Sequence, residues 1–189
     1  MRIGIDFDDT LADWGAMMRT EAQRRWQVDL DALRAAGKHP GDHLGQQWTD
    51  LIVELLETDL GVQIPIKPGA DEVVRRLSER HDLVILTARH DHEMPFARQW
   101  VQTNAIPIER FVATCRAPKD VFARDLDLRV HIDDTAAVFD SFVDHPTACS
   151  LLLGSVFDRG GGAALAAHVR SVEHWHAFED LVLALEDEA

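Results

Sequence analysis

The chain has 189 residues, of which 46% are apolar and 28% charged, so it can bury the core of one domain and is not intrinsically disordered. Its net charge of -14 argues against a nucleic-acid polymer or an anionic membrane as the main partner, but a small anionic substrate can still bind beside one local cation. With only Cys115 and Cys149, no recognisable signal peptide and no apolar run near the roughly 20 residues that span a bilayer, we expect a cytoplasmic protein.

The first predicted element is a short buried strand, Ile3 to Ile5, followed at once by Asp6 and Asp8. In an extended chain, residues i and i+2 point to the same side, so these two carboxylates would face one point in space. Two such charges raise each other's pKa unless a cation relieves them. The stretch therefore predicts a metal ion or a basic side chain nearby.

Residues 14–67 contain helical patterns and no strand pattern. Helices are predicted over 14–26, 30–36 and 44–60, with a turn at His39–Asp42 and an extended return linker at 62–69. This stretch is too long for a single crossover connection. We therefore expect a helical cap, residues 14–67, inserted into a catalytic core formed by residues 1–13 and 68–189.

Strands and helices are predicted to alternate in the rest of the chain. The predicted strands are 83–86, 110–115, 130–132 and 148–153, and the predicted helices are 70–80, 93–104, 118–125, 135–142 and 172–186. Gly160–Gly162 is expected to form a loop that binds no phosphate. This alternation predicts an α/β fold with a mostly parallel sheet.

Polar side chains follow three of the predicted strands, and a lysine opens the helix before the last of the three. They are Asp6 with Asp8, Thr87, Lys119, and Asp133 with Asp134. Ligands of parallel sheets bind at the carboxyl ends of the strands, so we expect these side chains to gather at one edge. Carboxylate oxygens suit Mg2+, and a lysine binds phosphate as a point charge. The set predicts a site for Mg2+ and a phosphoryl group.

The segments Asp6–Thr10, Leu86-Thr87, Lys119 and His131–Asp134 resemble, in order, the four motifs of the haloacid dehalogenase (HAD) superfamily. Lys67–Ala70 also resembles the lead-in to the second motif, and the resemblance covers about residues 2 to 153. It implies a Rossmann-like parallel sheet with a helical C1 cap after the first strand. It also implies Mg2+-dependent hydrolysis of phosphate esters.

The resemblance implies roles for four residues by position. Asp6 is similar to the nucleophile that forms an aspartyl-phosphate, and Asp8 to the general acid that protonates the leaving oxygen and then activates water. The residue at the place of Asp8 separates phosphatases from other members of the superfamily. Thr87 and Lys119 would bind the phosphoryl oxygens and stabilise developing charge.

The resemblance also implies a set of metal ligands. Asp133 would bind Mg2+ with Asp6 and the backbone carbonyl of Asp8. Asp134 would be either a second metal-site carboxylate or an orienting neighbour. Asp9 stands where many members of the superfamily carry glycine.

Residues 6–14, the Thr87-Ala88-Arg89 step and Trp100 further resemble 5'-nucleotidases of the deoxyribonucleotidase type. An aromatic residue at the place of Trp14 contacts the base in that group, which implies that Trp14, together with Trp48 of the cap, binds the substrate. Packing in the core is the alternative interpretation of both tryptophans. An exposed apolar face on the cap would favour a homodimer.

Other interpretations stay open for several of these residues. Helix capping alone would explain Asp13 and Asp134, a turn hydrogen bond would explain Thr87, and His131 is better explained as a core or interface residue than as a site residue. The leading functional hypothesis is a phosphomonoesterase for (deoxy)nucleoside monophosphates. The alternatives are a phosphatase for another small ester such as a sugar phosphate, a signalling receiver domain, and a catalytically idle Mg2+- or nucleotide-binding protein.

Overall fold

A parallel sheet of six strands forms the centre of the molecule, whose computed structural model describes residues 1–157 and 166–187. The strands are β1 (Arg2–Ile5), β2 (Asp82–Thr87), β3 (Arg110–Ala113), β4 (Val130–Asp133), β5 (Ala148–Leu152) and β6 (Val169–Val172). Their order across the sheet is β3-β2-β1-β4-β5-β6, and each neighbouring pair is parallel. The predicted α/β class is confirmed.

The strand order reverses between β1 and β4, which pair with each other at the middle of the sheet. Ile5 lies opposite Ile132, and the backbone N–H of Asp6 donates to the carbonyl of Ile132 at 2.9 Å. The ends of β1 and β4 are therefore level. Ligands of such sheets bind at this reversal point, and the order differs from the 2-1-3-4-5 order of receiver domains, which argues against the signalling hypothesis.

Eight α-helices are described. They are α1 (Trp14–Trp26), α2 (Leu30–Ala35), α3 (Pro40–Leu44), α4 (Gln46–Glu57), α5 (Ala70–Ser78), α6 (Met94–Thr103), α7 (Lys119–Asp125) and α8 (Trp175–Asp187). The sheet is covered on both faces, and residues 83–86 of β2 are accordingly all apolar. Leu83 and Ile85 pack into one buried cluster with α5, α6 and α8, whereas Val84 and Leu86 pack into another with α7.

Several predicted elements differ from those observed. Strand β6 was missed, and the closing helix predicted from residue 172 begins at Trp175, because Val172 pairs with Leu152 in the sheet. The helix predicted over 135–142 is a 3-10 helix, Ala136–Phe142. The turn predicted at His39–Asp42 is replaced by α3, which Pro40 opens at its first position. The predicted loop at Gly160–Gly162 lies outside the described residues.

The predicted cap, residues 14–67, is joined to the sheet by two segments that pair with each other. The N–H of Asp13 donates to the carbonyl of Pro65 at 2.7 Å, and the N–H of Lys67 donates to that of Leu11 at 2.9 Å. Buried apolar residues of α1 and α4 belong to the same cluster as Ile5 of the central strand. The division into two domains stays a prediction. Among the described residues, no helix is long and apolar enough to cross a bilayer.

Candidate active site

The loop after β1 turns sharply and carries the two carboxylates that follow the strand. The N–H groups of Leu11 and Ala12 both donate to the carbonyl of Phe7, at 3.1 and 2.9 Å. Asp9 has a φ of 59°, in the left-handed region that few residues other than glycine adopt. Asp6 is buried at the end of the strand, while the side chain of Asp8 keeps 23% of its surface exposed.

Three hydrogen bonds to the side chain of Asp9 accompany its left-handed backbone. One oxygen of its fully buried carboxylate accepts hydrogen bonds from the N–H of Gly15 at 2.9 Å and from Nζ of Lys67 at 2.7 Å. The other accepts the N–H of Val156 at 2.7 Å. Asp9 thereby fastens the loop to the start of the cap, to its return linker and to the segment after β5.

Three carboxylates gather where β1 and β4 end. Asp6, Asp133 and Asp134 each present an oxygen within 4.8 Å of the other two, and all three are buried. The ammonium of Lys119, 4% exposed, donates to Asp6 at 2.5 Å and to Asp133 at 2.6 Å. The structure thus brings together four of the predicted site residues, and Lys119 contacts the predicted nucleophile and metal ligand directly.

Burial and neighbouring charges shift the pKa values of these three carboxyl groups. Burial raises the pKa of Asp6 to about 7, because Lys119 only partly offsets the loss of solvent. Burial acts on Asp133 too, but Lys119 and the imidazole of His131 hold its pKa below the usual range. Burial and the charges of Asp6 and Asp133 raise the pKa of Asp134 well above its usual value. One ammonium is too little positive charge for this cluster.

A metal ion fits this arrangement. The donors are all carboxylate oxygens, they converge within a short distance, and they carry more negative charge than Lys119 neutralises. Hard cations such as Mg2+ prefer oxygen ligands of this kind. The cluster of Asp6, Asp133 and Asp134 can therefore hold a metal ion.

Thr87 makes the turn hydrogen bond of its alternative interpretation, whereas Asp134 does not cap the helix at 136–142, whose N-cap is Thr135 with no side-chain cap hydrogen bond. The hydroxyl of Ser155 donates to Asp134 at 2.5 Å, which links β4 to the segment after β5. The hydroxyl of Thr87, buried at the end of β2, accepts the N–H of Arg89 at 3.3 Å. Both residues lie at the expected edge of the sheet, and their roles toward metal and phosphate stay predictions.

His131, which was predicted to be a core or interface residue, also contacts the site. Its Nε2 lies 3.3 Å from Asp133, since residues two apart on a strand share a face. Its fully buried ring also stacks on Phe142, with centroids 6.1 Å apart. It is a core residue, as expected, and a hydrogen-bond partner of a site carboxylate as well.

Arg89 is the site residue that sequence reasoning missed. Its guanidinium donates to both oxygens of Asp8, from Nε at 3.0 Å and from a terminal nitrogen at 2.7 Å. The available signals were its place two residues after Thr87, at the end of β2, and its part in the Thr87-Ala88-Arg89 step, to which no role was given. Nothing in the local sequence indicates that it reaches a residue 81 positions earlier.

Neither a protein-family model nor a curated protein sequence matches this chain. Solved structures do match it over nearly its full length. A HAD family hydrolase from Deinococcus radiodurans R1, with bound phosphate and sodium, is 15% identical over 98% of this chain and 96% of its own, with a TM-score of 0.62. D,D-heptose 1,7-bisphosphate phosphatase from Burkholderia thailandensis is 12% identical over 97% and 98%, with a TM-score of 0.58. A HAD hydrolase from Bacillus subtilis, bound to magnesium, is 12% identical over 96% and 97%, with a TM-score of 0.60. The chain has the HAD fold.

Both tryptophans that were predicted to contact the substrate are buried. Trp14 is 1% exposed, with its ring 5.7 Å from that of Phe157, and Trp48 is 6% exposed, at 6.3 Å from the same ring. Among the described residues, the indole N–H of Trp14 has no hydrogen-bond partner. Packing accounts for most of their surface, and contact with the substrate stays a prediction.

Proposed function

We propose that this chain is a Mg2+-dependent phosphomonoester hydrolase that works through an aspartyl-phosphate on Asp6. The observation that carries the proposal is the buried cluster at the ends of β1 and β4, where three carboxylates face one ammonium. Structures with the same fold include a sugar-bisphosphate phosphatase, a hydrolase with bound phosphate and one with bound magnesium. Their chemistry supports this assignment.

In the proposed reaction, a carboxylate oxygen of Asp6 attacks phosphorus as the bond from phosphorus to the leaving oxygen breaks. Asp8 gives its proton to that oxygen, so the alcohol leaves neutral. Asp8 then takes a proton from the water that attacks the phosphoryl group, and inorganic phosphate departs with Asp6 restored. Lys119 and Thr87 bind the phosphoryl oxygens.

Asp6, Asp133 and Asp134 would hold the Mg2+ ion, together with the backbone carbonyl of Asp8. When bound, the ion would supply Lewis-acid stabilisation of the phosphoryl charge. His131 and the N–H of Thr135, which is 3.0 Å from Asp133, orient that carboxylate from behind.

For the substrate we propose a (deoxy)nucleoside monophosphate, with a sugar phosphate as the alternative. The two tryptophans of the cap, Trp14 and Trp48, and the buried indole N–H of Trp14, which has no partner among the described residues, support a flat base. The two cysteines, Cys115 and Cys149, are both free, which suits the reducing cytoplasm that we propose as its location. A homodimer stays a prediction.

Phosphate release from a panel of nucleoside monophosphates, sugar phosphates and p-nitrophenyl phosphate tests this function. The assay is run with Mg2+, with chelator and with Asp6→Asn, and the panel includes a 2-haloacid because L-2-haloacid dehalogenases share the fold. We expect Mg2+-dependent phosphate release that Asp6→Asn lacks. Halide release without phosphate release would make the chain a dehalogenase, and neither product would favour the idle binder.

A further inference from the structure

Arg89 makes a bidentate interaction with the carboxyl group of Asp8. Nε lies 3.0 and 3.2 Å from the two oxygens of Asp8, and a terminal nitrogen lies 2.7 Å from one of them. A planar guanidinium that bonds both oxygens fixes the plane of the carboxylate as well as its position. Each oxygen has a second lone pair, so this interaction leaves proton-transfer positions free on the partly exposed side of Asp8.

Arg89 itself has little freedom to move. Its side chain is 1% exposed, and its other terminal nitrogen donates to the carbonyl of Glu93 at 3.2 Å. The guanidinium carbon lies 4.9 Å from the ring centre of Phe7, in the loop after β1, and 5.9 Å from that of Trp14, in the cap. The orientation of the guanidinium is therefore fixed by two aromatic rings, one carbonyl and one carboxyl group.

We propose that Arg89 is a positioning residue, which aims the carboxyl group of Asp8 at the leaving oxygen of the substrate and at the attacking water. The inference deepens the proposed function and rests on it. Arg89 takes no part in bond making: the proton passes from Asp8 to the ester oxygen as the phosphorus–oxygen bond breaks, and from water to Asp8 in the second step. The buried guanidinium of Arg89 holds Asp8 in the same orientation for both proton transfers.

The dependence of kcat/KM on the leaving group tests this role. An alkyl phosphate needs a proton on its leaving oxygen, whereas p-nitrophenyl phosphate has a leaving group stable as an anion. Replacing Arg89 by Met should lower kcat/KM for the alkyl ester about 100-fold, the scale of general acid catalysis. It should lower kcat/KM for the aryl ester less than about fivefold, because kcat/KM covers the steps up to loss of the leaving group.

Arg89→Lys is the second variant, and it keeps a buried cation at the same place. Because an ammonium lacks the planar fork, we expect it to restore less than about a tenth of the alkyl-ester activity. Arg116→Gln is the matched control, since Arg116 pairs with Glu93 at 3.1 Å and has no bond to Asp8. It should leave both esters within about twofold of wild type. Near-ultraviolet circular dichroism checks that each variant is folded.

Three outcomes would overturn the proposal. Equal losses on the two esters in a folded Arg89→Met would mean a structural role, and full recovery in Arg89→Lys would mean that only the charge matters. Unchanged kcat/KM for both esters would mean that Asp8 needs no positioning. A wild type that hydrolyses neither ester would instead overturn the proposed phosphatase function, on which this inference rests.

Discussion

Two buried cations lie on either side of the loop after β1, and they face different numbers of carboxylates. Lys119 touches Asp6 and Asp133, with Asp134 close by, so the negative charge there exceeds the positive. Arg89 touches the carboxyl group of Asp8 alone. The first region retains a demand for a divalent cation, whereas in the second a single arginine faces a single carboxyl group.

The chemistry of the two side chains follows the same division. Lysine is a point charge on a flexible stem, which can bind carboxylates in one state and phosphoryl oxygens in another. Arginine is a rigid fork that fixes the plane of its partner. Lys119, the flexible cation, thus lies in the region that would bind metal and phosphate. Arg89, the rigid cation, lies in the region where Asp8 would transfer a proton. Substitutions in the region of Lys119 and in the region of Arg89 should therefore differ in their effects on activity and on stability.

The largest expected effect is that of Asp6→Asn, which removes the attacking oxygen from the charged region. We expect the rate of phosphate release to fall on the order of 10⁴-fold or more, as for other nucleophiles. Asp13→Asn is the matched control in the same loop: Asp13 caps α1 by accepting the N–H of Ala16 at 3.0 Å, and asparagine caps as well. Comparable losses in the two variants would contradict the role of Asp6.

Lys119→Met should lower the stability of the protein, and added Mg2+ should restore most of it. Without Lys119, Asp6 and Asp133 lose their buried partner, and the free energy of unfolding should fall by about 3 kcal/mol in chelator. Because the cluster becomes more negative, added Mg2+ should recover most of that loss, measured by urea denaturation. Activity should still fall about 100-fold, since a phosphoryl-binding charge is gone.

Two further variants sharpen this contrast. Arg89→Met should lose stability that Mg2+ does not restore, because Asp8 contributes no side-chain oxygen to the cluster. Lys67→Met removes a lysine that pairs with Asp9 at 2.7 Å, outside the cluster, and Mg2+ should not rescue it either. Equal rescue of all three variants would show that the ion acts elsewhere.

Asp9→Gly tests what holds the loop between the two regions. Glycine suits the φ of 59° and relieves strain there, but the change removes hydrogen bonds from Gly15, Lys67 and Val156. We expect a net loss of about 2 kcal/mol in the free energy of unfolding. A glycine variant as stable as wild type would mean that the backbone turn matters and the carboxylate does not.

The smallest effect concerns pH. Burial raises the pKa of Asp6 to about 7 and also raises that of Asp134, so both hold protons more tightly folded than unfolded. Without metal, these two groups therefore contribute less to stability as pH rises toward 7. Mg2+ must displace their protons, so its binding should strengthen over the same range.

The midpoint of thermal unfolding measures this dependence. Saturating Mg2+ should raise Tm by about 5 °C at pH 8 and by about 1 °C or less at pH 5.5. Asp134→Asn should flatten the difference between the two pH values. A shift in Tm that is the same at both values would contradict the assigned proton affinities.

The sheet and its acidic edge were predictable from the sequence. Apolar runs at β1, β2 and β4 each end in polar residues, and parallel strands bring such ends together, so Asp6 and Asp133 were expected to meet. Their contact with Lys119 follows from the same rule, because α7 begins shortly before β4. These are consequences of periodicity and topology, which a sequence displays directly.

The partners of Asp8 and Asp9 were not predictable in this way. Arg89 follows β2 and reaches Asp8 after the neighbouring strand β1, and Lys67 and Val156 reach Asp9 from distant segments, so no spacing within the sequence indicates either set of contacts. Strand β6 was missed for a related reason: its sequence, Val169–Val172, is half polar, and only pairing with β5 makes it a strand. Long-range contacts decide these features.

Trapping of the phosphorylated enzyme tests the central claim most directly, that Asp6 carries the phosphoryl group and Asp8 moves the proton. The protein is mixed with an aryl ester of labelled phosphate, quenched in acid and digested, and the labelled peptide is identified. Asp8→Asn should accumulate label on the peptide with Asp6, because a good leaving group needs no acid while the second step lacks its base. Asp6→Asn should carry none. Phosphate release by the wild type with no label in Asp8→Asn, or with label on another residue, would contradict the account.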